Sequence, residues 1–395
     1  MHKAPFFASY EIHDPIDALS WLKENAHHTT IYWCSRDRDL EFAGIGLAET
    51  HYQSMQEAQE RLASLPYPLR VFGGCSFSKN SDGWGHFGQE RFWIPRILYI
   101  REGSRYVIQH CVLSQEEISS PPLSSIEHIP THIPTKEEWT EQIERSYHAF
   151  ATGDLQKIVI ARQTSVEIPL HPMDALRTLA SQQTESFDFA FSPFGKSFFV
   201  GCSPELLLSI QKEHNKTILT EALAGTRPKE ASPTELLQSD KEQREHRFVF
   251  AHILDRLTPF CTSTTRSAQP MICTHNHVIH LKTKIEGVLK EDVQVHELVQ
   301  ALHPTPAVCG LPQEQSMQRI EKWEGFDRGW YAGPVGWFGK DEAEIAVGIR
   351  SALFHNEKCL VWAGAGIVDG SQAHQEWQEI EAKSRQFLLL SQTES

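Results

Sequence analysis

Two predicted helical segments each carry a pair of glutamates three residues apart, Glu242 with Glu245 and Glu376 with Glu379. Residues at this spacing lie on one face of a helix, so each pair can direct two carboxylates toward one point. If all four carboxylates converge, their repulsion requires a cation, and hard oxygen ligands of this kind suit Mg²⁺. An isolated pair is more often a solvent-exposed helix face. The two sequence contexts, SDKEQREH and HQEWQEIEAK, favour the metal-binding interpretation.

Two further residues have side chains suited to proton transfer. Lys157 begins the otherwise apolar segment KIVIAR, where a lysine often reaches solvent from a strand edge. If it faces a closed pocket instead, loss of solvent favours the neutral amine, which could act as a base. Glu221 lies in TEALAGTR, and its small apolar neighbours favour a protonated carboxyl group that could act as a general acid. It could equally be a surface glutamate on an edge strand.

Two other segments could bind an anion. AGAGIV, which starts at Ala363, resembles a phosphate-binding turn, but Asp369 stands where a dinucleotide site needs its third glycine. The backbone amides of such a turn can still bind a carboxylate. Arg350, in the apolar strand-like segment AVGIRSALF, requires an anionic partner from the protein or a substrate if it is buried.

The histidines and cysteines give no clear sign of zinc or disulfides. His275 and His277 would face one side of a strand and His280 the other, so the three cannot converge on zinc without a bend. The eight cysteines include no CxxC pair, which indicates reduced and mostly buried thiols.

The composition is that of a globular protein. The chain has 395 residues, of which 40% are hydrophobic and 22% are charged. Its net charge of -14 argues against nucleic acid as the main partner. No apolar run reaches the length of about 18 residues that spans a membrane, and the first residues lack a signal-peptide core. We therefore expect a cytosolic protein with no membrane partner.

The segments that must position these side chains follow a mixed α/β pattern. Residues 1–120 are predicted to form a twisted sheet with hairpins, and the proline-bearing stretch 119–135 is the predicted crossover to a catalytic portion, 136–390, within one large domain. The hydrophobic spacing predicts a helix from about Trp139 to Phe150. Further strands are predicted at 30–33, 96–100, 157–162, 197–201, 218–224, 277–285, 343–352 and 359–363, and further helices at 240–257, 293–302 and 375–390.

Taken together, these segments resemble the chorismate-binding enzyme family, which includes the anthranilate, aminodeoxychorismate, salicylate and isochorismate synthases. Ten motifs occur in order over residues 157 to 383: KIVIAR, GCSPELLL, TEALAGTRPK, SDKEQREH, HLKTKIEG, LHPTPAVCGLP, FDRGWYAGPVGWFG, IAVGIRSALF, VWAGAGIVDGS and EWQEIEAK. The resemblance implies a single α/β (α+β) domain in which two antiparallel sheets pack together, with helices outside and the site in the cleft between the sheets.

Within this family, a few positions separate the reactions. Members that add ammonia generally have glutamine where Lys157 stands, and those with a covalent intermediate have lysine in place of Ala224. The resemblance therefore implies that water attacks and that no glutaminase subunit is needed. The segment HPTPAVCG, from His303 to Gly310, is typical of isochorismate synthases. Salicylate synthase and a chorismate-binding subunit without activity remain as alternatives, and the use of the product for menaquinone, a siderophore or salicylate stays open.

The resemblance also implies roles for individual residues. Lys157 would deprotonate a water that attacks C2 of chorismate, and Glu221 would protonate the departing C4 hydroxyl. Mg²⁺ would hold the ring carboxylate, bound directly by Glu245 and Glu379 and directly or through water by Glu242 and Glu376. The remaining implied contacts are Tyr331, Arg350, Gly364 and Gly366 at the side-chain carboxylate, His280 near the ring, Thr226 and Gly225 near the leaving hydroxyl, and Lys383 near the negative charge.

Overall fold

The computed structural model of the chain describes residues 5–114, 131–183, 185–228, 232–275 and 278–392. The strands in these ranges are β1 Phe6–Ile12, β2 Thr30–Cys34, β3 Leu40–Leu47, β4 Val71–Cys75, β5 Glu90–Trp93, β6 Pro95–Glu102, β7 Arg105–Val112, β8 His132–Ile133, β9 Lys157–Glu167, β10 Phe187–Ser192, β11 Ser197–Ser203, β12 Leu206–Lys212, β13 Lys216–Pro228, β14 Cys261–Arg266, β15 Met271–His275, β16 Val278–Leu289, β17 Gly310–Leu311, β18 Pro334–Phe338, β19 Ala343–Val347, β20 Ser351–His355 and β21 Lys358–Ile367.

Helices occupy the remaining regular segments of the described ranges. They are α1 Ala18–Glu24, α2 Met55–Ser64, α3 Lys136–Ala151, α4 Pro172–Ser181, α5 Pro233–Gln238, α6 Asp240–Leu257, α7 Val295–Leu302, α8 Gln313–Trp323 and α9 Ala373–Leu390, with a short 3-10 turn at Thr258–Phe260. None of these helices is long and apolar enough to cross a membrane.

The strands form two sheets, and every strand pair in the described ranges is antiparallel. The first has twelve strands in the order β1-β7-β6-β3-β2-β10-β11-β20-β21-β9-β17, with β8 also paired to β9. The second has nine, in the order β14-β16-β13-β12-β19-β18-β4-β5, with β15 also paired to β16. The predicted fold class of two antiparallel sheets with outer helices is confirmed.

Aromatic side chains from both sheets meet in the space between them. The ring of Phe42 on β3 lies 5.3 Å from that of Phe72 on β4 and 5.0 Å from that of Trp337 on β18. Trp33 on β2 donates a hydrogen bond of 2.6 Å to Glu344 on β19. The main hydrophobic core therefore lies between the sheets. A second core lies under α1 and α4, on the outer face of the twelve-stranded sheet.

Local capping residues mark the starts of α3 and α6. The side chain of Ser239 accepts a hydrogen bond from the Glu242 amide at the start of α6. Thr135 and Glu138 form a capping box at the start of α3, and this helix ends just before Gly153, whose φ is +77°. The predicted helix 240–257 has the bounds of α6, while α7 and α9 each begin two residues from their predicted starts.

Some predicted elements differ from the structure. The expected N-terminal sheet is divided, because β4 and β5 join the nine-stranded sheet while the other strands before residue 114 join the twelve-stranded one. Most of the predicted crossover, 119–130, lies outside the described residues, as does His277. The predicted single strand 343–352 is wrong, because the chain leaves one sheet at Val347 and enters the other at Ser351.

The break in that predicted strand also relocates Arg350. A Cβ at Gly348 would lie 2.7 Å from the Trp330 carbonyl oxygen, so the crossing point has no room for a side chain there. Arg350 has a φ of +51°, which is rare for a residue other than glycine. It therefore lies in the connection between β19 and β20, not inside a strand as predicted.

Candidate active site

A cavity opens where the ends of β9, β13 and β21 meet α6 and α9. It contains about 1000 Å³ of empty space including its open mouth. Eleven of the predicted site residues line it: Lys157, Glu242, Glu245, His280, Tyr331, Arg350, Gly364, Gly366, Glu376, Glu379 and Lys383. The lining also includes Val159, Glu205, Leu223, Ala224, Ala307 and Val308.

Lys157 faces the cavity from the start of β9. Only 1% of the residue is exposed, so the solvent-edge interpretation is wrong. Its Nζ donates a hydrogen bond of 2.6 Å to Oε1 of Glu245 on α6. A Cβ at Gly366, on the neighbouring strand β21, would lie 3.0 Å from Cε of Lys157 and 3.1 Å from Oε1 of Glu245. The absence of a side chain at Gly366 therefore leaves room for this ion pair.

The four predicted metal ligands all line the cavity, two from each of α6 and α9. Glu242 and Glu376 lie in the first turns of their helices, where the helix dipole favours negative charge, and both are buried. Glu379 accepts a hydrogen-bonding contact of 2.6 Å from Nζ of Lys383. The carboxylates of Glu245 and Glu379 are therefore each paired with a lysine.

No group of three or more His, Cys, Asp or Glu side chains in the described residues is close enough to hold a metal ion. The donor chemistry nevertheless fits magnesium, since four carboxylates supply hard oxygen ligands at one cavity. Glu245 and Glu379 would have to turn from their lysines for such a site to close. All four carboxylates thus line one cavity, and within the described residues they do not form a closed cation site.

A second group of lining residues offers hydrogen-bond donors to an anion. Lys383 donates a hydrogen bond of 2.8 Å to the Gly364 carbonyl, and Arg350 Nη1 donates one of 3.4 Å to the Lys383 carbonyl. A Cβ at Gly364 would lie 3.2 Å from the Tyr331 hydroxyl, which places this hydroxyl beside the β21 backbone. Burial raises the pKa of Tyr331 and lowers that of Arg350. The hydroxyl keeps its proton at neutral pH and can donate it in a hydrogen bond.

Glu205 is a site residue that sequence reasoning missed. It lines the cavity, is 5% exposed, and accepts a hydrogen bond of 3.5 Å from the Thr305 hydroxyl. Burial raises its pKa to about 7, although the nearby charge of Lys157 and the Thr305 hydrogen bond act in the opposite direction. The available signal was its position in GCSPELLL, since a glutamate directly before the apolar strand β12 is rarely buried without a specific role.

Glu221 does not take its predicted place. Its carboxylate is buried, but Oε2 accepts a hydrogen bond of 2.8 Å from Arg36 and Oε1 lies 3.7 Å from Nζ of Lys282. It is not among the residues that line the cavity, where β13 contributes Leu223 and Ala224 instead. The expected apolar environment is wrong because Arg36, from the turn after β2, reaches this carboxylate.

Two other predicted contacts at the end of β13 have different outcomes. Gly225 lies at a break in the strand register with a φ of +78°, and a Cβ there would lie 3.0 Å from the Glu242 carbonyl. It allows β13 to pass close to the first turn of α6 but does not line the cavity. The Thr226 side chain lies outside the described part of the chain, and its backbone pairs with that of His280.

Ala224 lines the cavity, as the resemblance implied, and has no nucleophilic group. Of the three histidines considered for zinc, His280 lines the cavity, and the side chains of the other two lie outside the described residues. All eight cysteines lie in the described residues as free thiols, and seven of them are buried.

The chain is similar in sequence to known proteins of one enzyme family. A model of the family described as chorismate binding enzyme matches residues 2–129 and 109–390. The chain is 31% identical over 415 residues to isochorismate synthase MenF of Escherichia coli, covering 98% of this chain and 93% of the relative.

Solved structures superimpose on nearly the whole chain. The structure of MenF, the menaquinone-specific isochorismate synthase from Escherichia coli, superimposes with a TM-score of 0.85 at 29% identity, covering 99% of this chain and 96% of that one. Anthranilate synthase component I from Streptococcus pneumoniae superimposes with a TM-score of 0.66 at 20% identity, over 97% of this chain and 92% of that one. The second match supports the fold alone.

Proposed function

Because the chain belongs to the chorismate-binding enzyme family, we propose that it is an isochorismate synthase, which converts chorismate to isochorismate. Its similarity to proteins of that name extends over nearly the whole chain. The observation that carries the proposal is that Lys157 and Glu205 line one cavity together with four carboxylates and a set of anion-binding groups. A base, an acid and a place for a charged substrate are thereby brought together.

The reaction adds a water oxygen at C2, moves the ring double bonds and expels the C4 hydroxyl, so that the product is an isomer of the substrate. We assign Lys157 as the base that accepts a proton from the attacking water. Glu205 donates a proton to the departing hydroxyl, which leaves as water. A carboxyl group with a pKa of about 7 is well suited to this role, because a large fraction is protonated at neutral pH. Glu205 replaces Glu221 in the assignment.

The other lining residues hold the substrate. Arg350, Tyr331 and Lys383 offer a guanidinium, a hydroxyl and an ammonium group to the side-chain carboxylate of chorismate. Gly364 and Gly366 keep β21 free of side chains at this point, so that the substrate can approach the strand. His280 and Ala224 form the wall nearest the ring.

We propose that Glu242, Glu245, Glu376 and Glu379 hold Mg²⁺, which would neutralise the ring carboxylate of chorismate and fix its position. In this structure, Nζ of Lys157 donates a hydrogen bond to Glu245. If Glu245 held the cation, Nζ of Lys157 would be released from this hydrogen bond and could contact the attacking water.

The product distinguishes the proposed activity from the alternatives. Purified protein incubated with chorismate and Mg²⁺ is expected to yield isochorismate without pyruvate, as followed by chromatography. Equal amounts of salicylate and pyruvate would identify a salicylate synthase instead. A folded protein that binds chorismate without turnover would be a binding subunit, and an ammonia-dependent product would contradict the use of water.

Removal of the metal is expected to abolish turnover, since four carboxylates at one cavity repel the anionic substrate without a cation. Protein treated with EDTA should regain activity on addition of Mg²⁺. Glu376→Gln should weaken Mg²⁺ binding, measured by calorimetry without substrate, by at least about 10-fold. The matched control is Glu141→Gln, on the exposed face of α3. Equal Mg²⁺ affinity in both variants would contradict the assigned ligand.

A further inference from the structure

A buried ion pair lies directly behind the wall of the cavity. Arg328 and Glu324 have side-chain exposures of only 3% and 2%. Arg328 donates two hydrogen bonds to the Glu324 carboxylate, at 2.7 Å from Nε and 2.5 Å from Nη2. Neither residue lines the cavity or reaches the reacting groups. Burying such a pair is costly, so its other contacts decide what it contributes.

Those other contacts go to the backbone of two segments that form the cavity wall. Arg328 donates to the Val159 carbonyl from Nη2 and to the Val308 carbonyl from Nη1, both at 2.9 Å. Glu324 Oε1 accepts a hydrogen bond of 2.7 Å from the Ala161 amide. Val159 and Val308 both line the cavity, and Val159 lies two residues from Lys157. The ion pair thus joins β9 to the segment between α7 and β17.

The same guanidinium also contacts the aromatic rings around it. It lies 4.2 Å from the centre of the Phe77 ring and 5.8 Å from that of Tyr331. The Tyr331 amide donates a hydrogen bond of 2.9 Å to the Arg328 carbonyl. Tyr331 is one of the groups assigned to the substrate carboxylate. The Arg328 side chain therefore contacts three parts of the cavity wall: it donates hydrogen bonds to the Val159 and Val308 carbonyls and lies near the Tyr331 ring.

We propose that Arg328 and Glu324 are positioning residues, which fix the β9 backbone, the Val308 segment and the Tyr331 ring relative to one another and so set the distance between Lys157 and the bound substrate. This inference rests on the proposed function. Packing alone does not require an arrangement of this kind, since a buried ion pair can often be replaced by apolar residues without loss of stability. The polar bonds to the backbone, by contrast, have no apolar substitute.

The double variant Glu324→Leu with Arg328→Met separates positioning from stability. It removes both charges together but leaves the Val159 and Val308 carbonyls and the Ala161 amide without these partners, so we expect a folded protein with a lower thermal midpoint, and kcat is measured well below that midpoint. We expect kcat for chorismate to fall by roughly 10- to 100-fold, because small displacements of a catalytic group are costly. Arg328→Lys keeps the charge but loses the planar guanidinium group. Its kcat should lie between that of the wild type and that of the double variant.

The matched control is Glu49→Leu with Arg61→Met. This pair also has two hydrogen bonds, of 2.8 and 2.9 Å, and its residues do not line the cavity. Its kcat and KM should equal those of the wild type. If a folded Glu324→Leu/Arg328→Met protein shows wild-type kcat and KM, the positioning role is wrong.

If the double variant does not fold, the single variants Arg328→Lys and Glu324→Gln test the positioning role. A lower kcat at an unchanged thermal midpoint supports positioning, and wild-type kinetics in both variants overturn it. Failure of the proposed function gives a different result, because the wild-type protein itself would then fail to convert chorismate.

Discussion

Replacing Lys157 with alanine is expected to lower kcat for chorismate by roughly 10²- to 10⁴-fold, the usual contribution of a positioned base. The residue is 1% exposed at the start of β9 and faces the cavity, where its Nζ donates a hydrogen bond to Glu245. No other described lysine that lines the cavity is as deeply buried, since Lys383 is 18% exposed and engaged with Glu379. Turnover should be measured under saturating chorismate and Mg²⁺.

Lys157→Arg tests whether the residue acts as a base or only as a positive charge. An arginine can keep the ion pair with Glu245 but remains protonated, so it cannot accept a proton from water. We therefore expect it to be nearly as inactive as the alanine variant. Both proteins should retain the wild-type circular dichroism spectrum and chorismate binding. Activity of Lys157→Arg near the wild-type level would show that charge, not proton transfer, is what this position supplies.

Individual helices could be predicted more closely than the arrangement of the strands. The α6 bounds follow from a local cap at Ser239 and a continuous helical pattern, both visible in the sequence. The segment 343–352 has an unbroken apolar pattern typical of one strand, yet it supplies β19 to one sheet and β20 to the other. The chain passes from one sheet to the other where Gly348 packs against the carbonyl oxygen of Trp330, a residue from a different segment of the chain. Periodicity carries no information about such a contact.

Local sequence patterns were also insufficient to predict the whole candidate site. The two glutamate pairs and Lys157 were predicted because their spacing or their apolar surroundings are local features. Glu205 and Glu221 are both glutamates in apolar segments, and the sequence does not distinguish them. The distinction comes from Arg36, which is 185 residues from Glu221 in the chain and binds its carboxylate. Long-range pairing of this kind decides which carboxyl group is available to a substrate.

Glu205→Gln and Glu221→Gln should therefore have very different effects. The first variant keeps the shape of the side chain but removes the dissociable proton, and kcat should fall by roughly 10²- to 10⁴-fold. The second leaves Arg36 and Lys282 without their carboxylate, which should lower the free energy of unfolding by about 1–3 kcal/mol. Its kcat should remain within about tenfold of the wild type, since Glu221 does not line the cavity. Each variant is the control for the other.

The pH dependence gives an independent measurement of the same assignment. A proton donor works in its protonated form, and burial raises the pKa of Glu205 to about 7. In the wild type, kcat/KM should therefore fall as the pH rises above about 7, approaching a tenfold loss per pH unit. This decline should disappear from the residual activity of Glu205→Gln, because glutamine does not titrate, and persist in Glu221→Gln. If the decline is instead lost in Glu221→Gln and kept in Glu205→Gln, Glu221 is the proton donor after all.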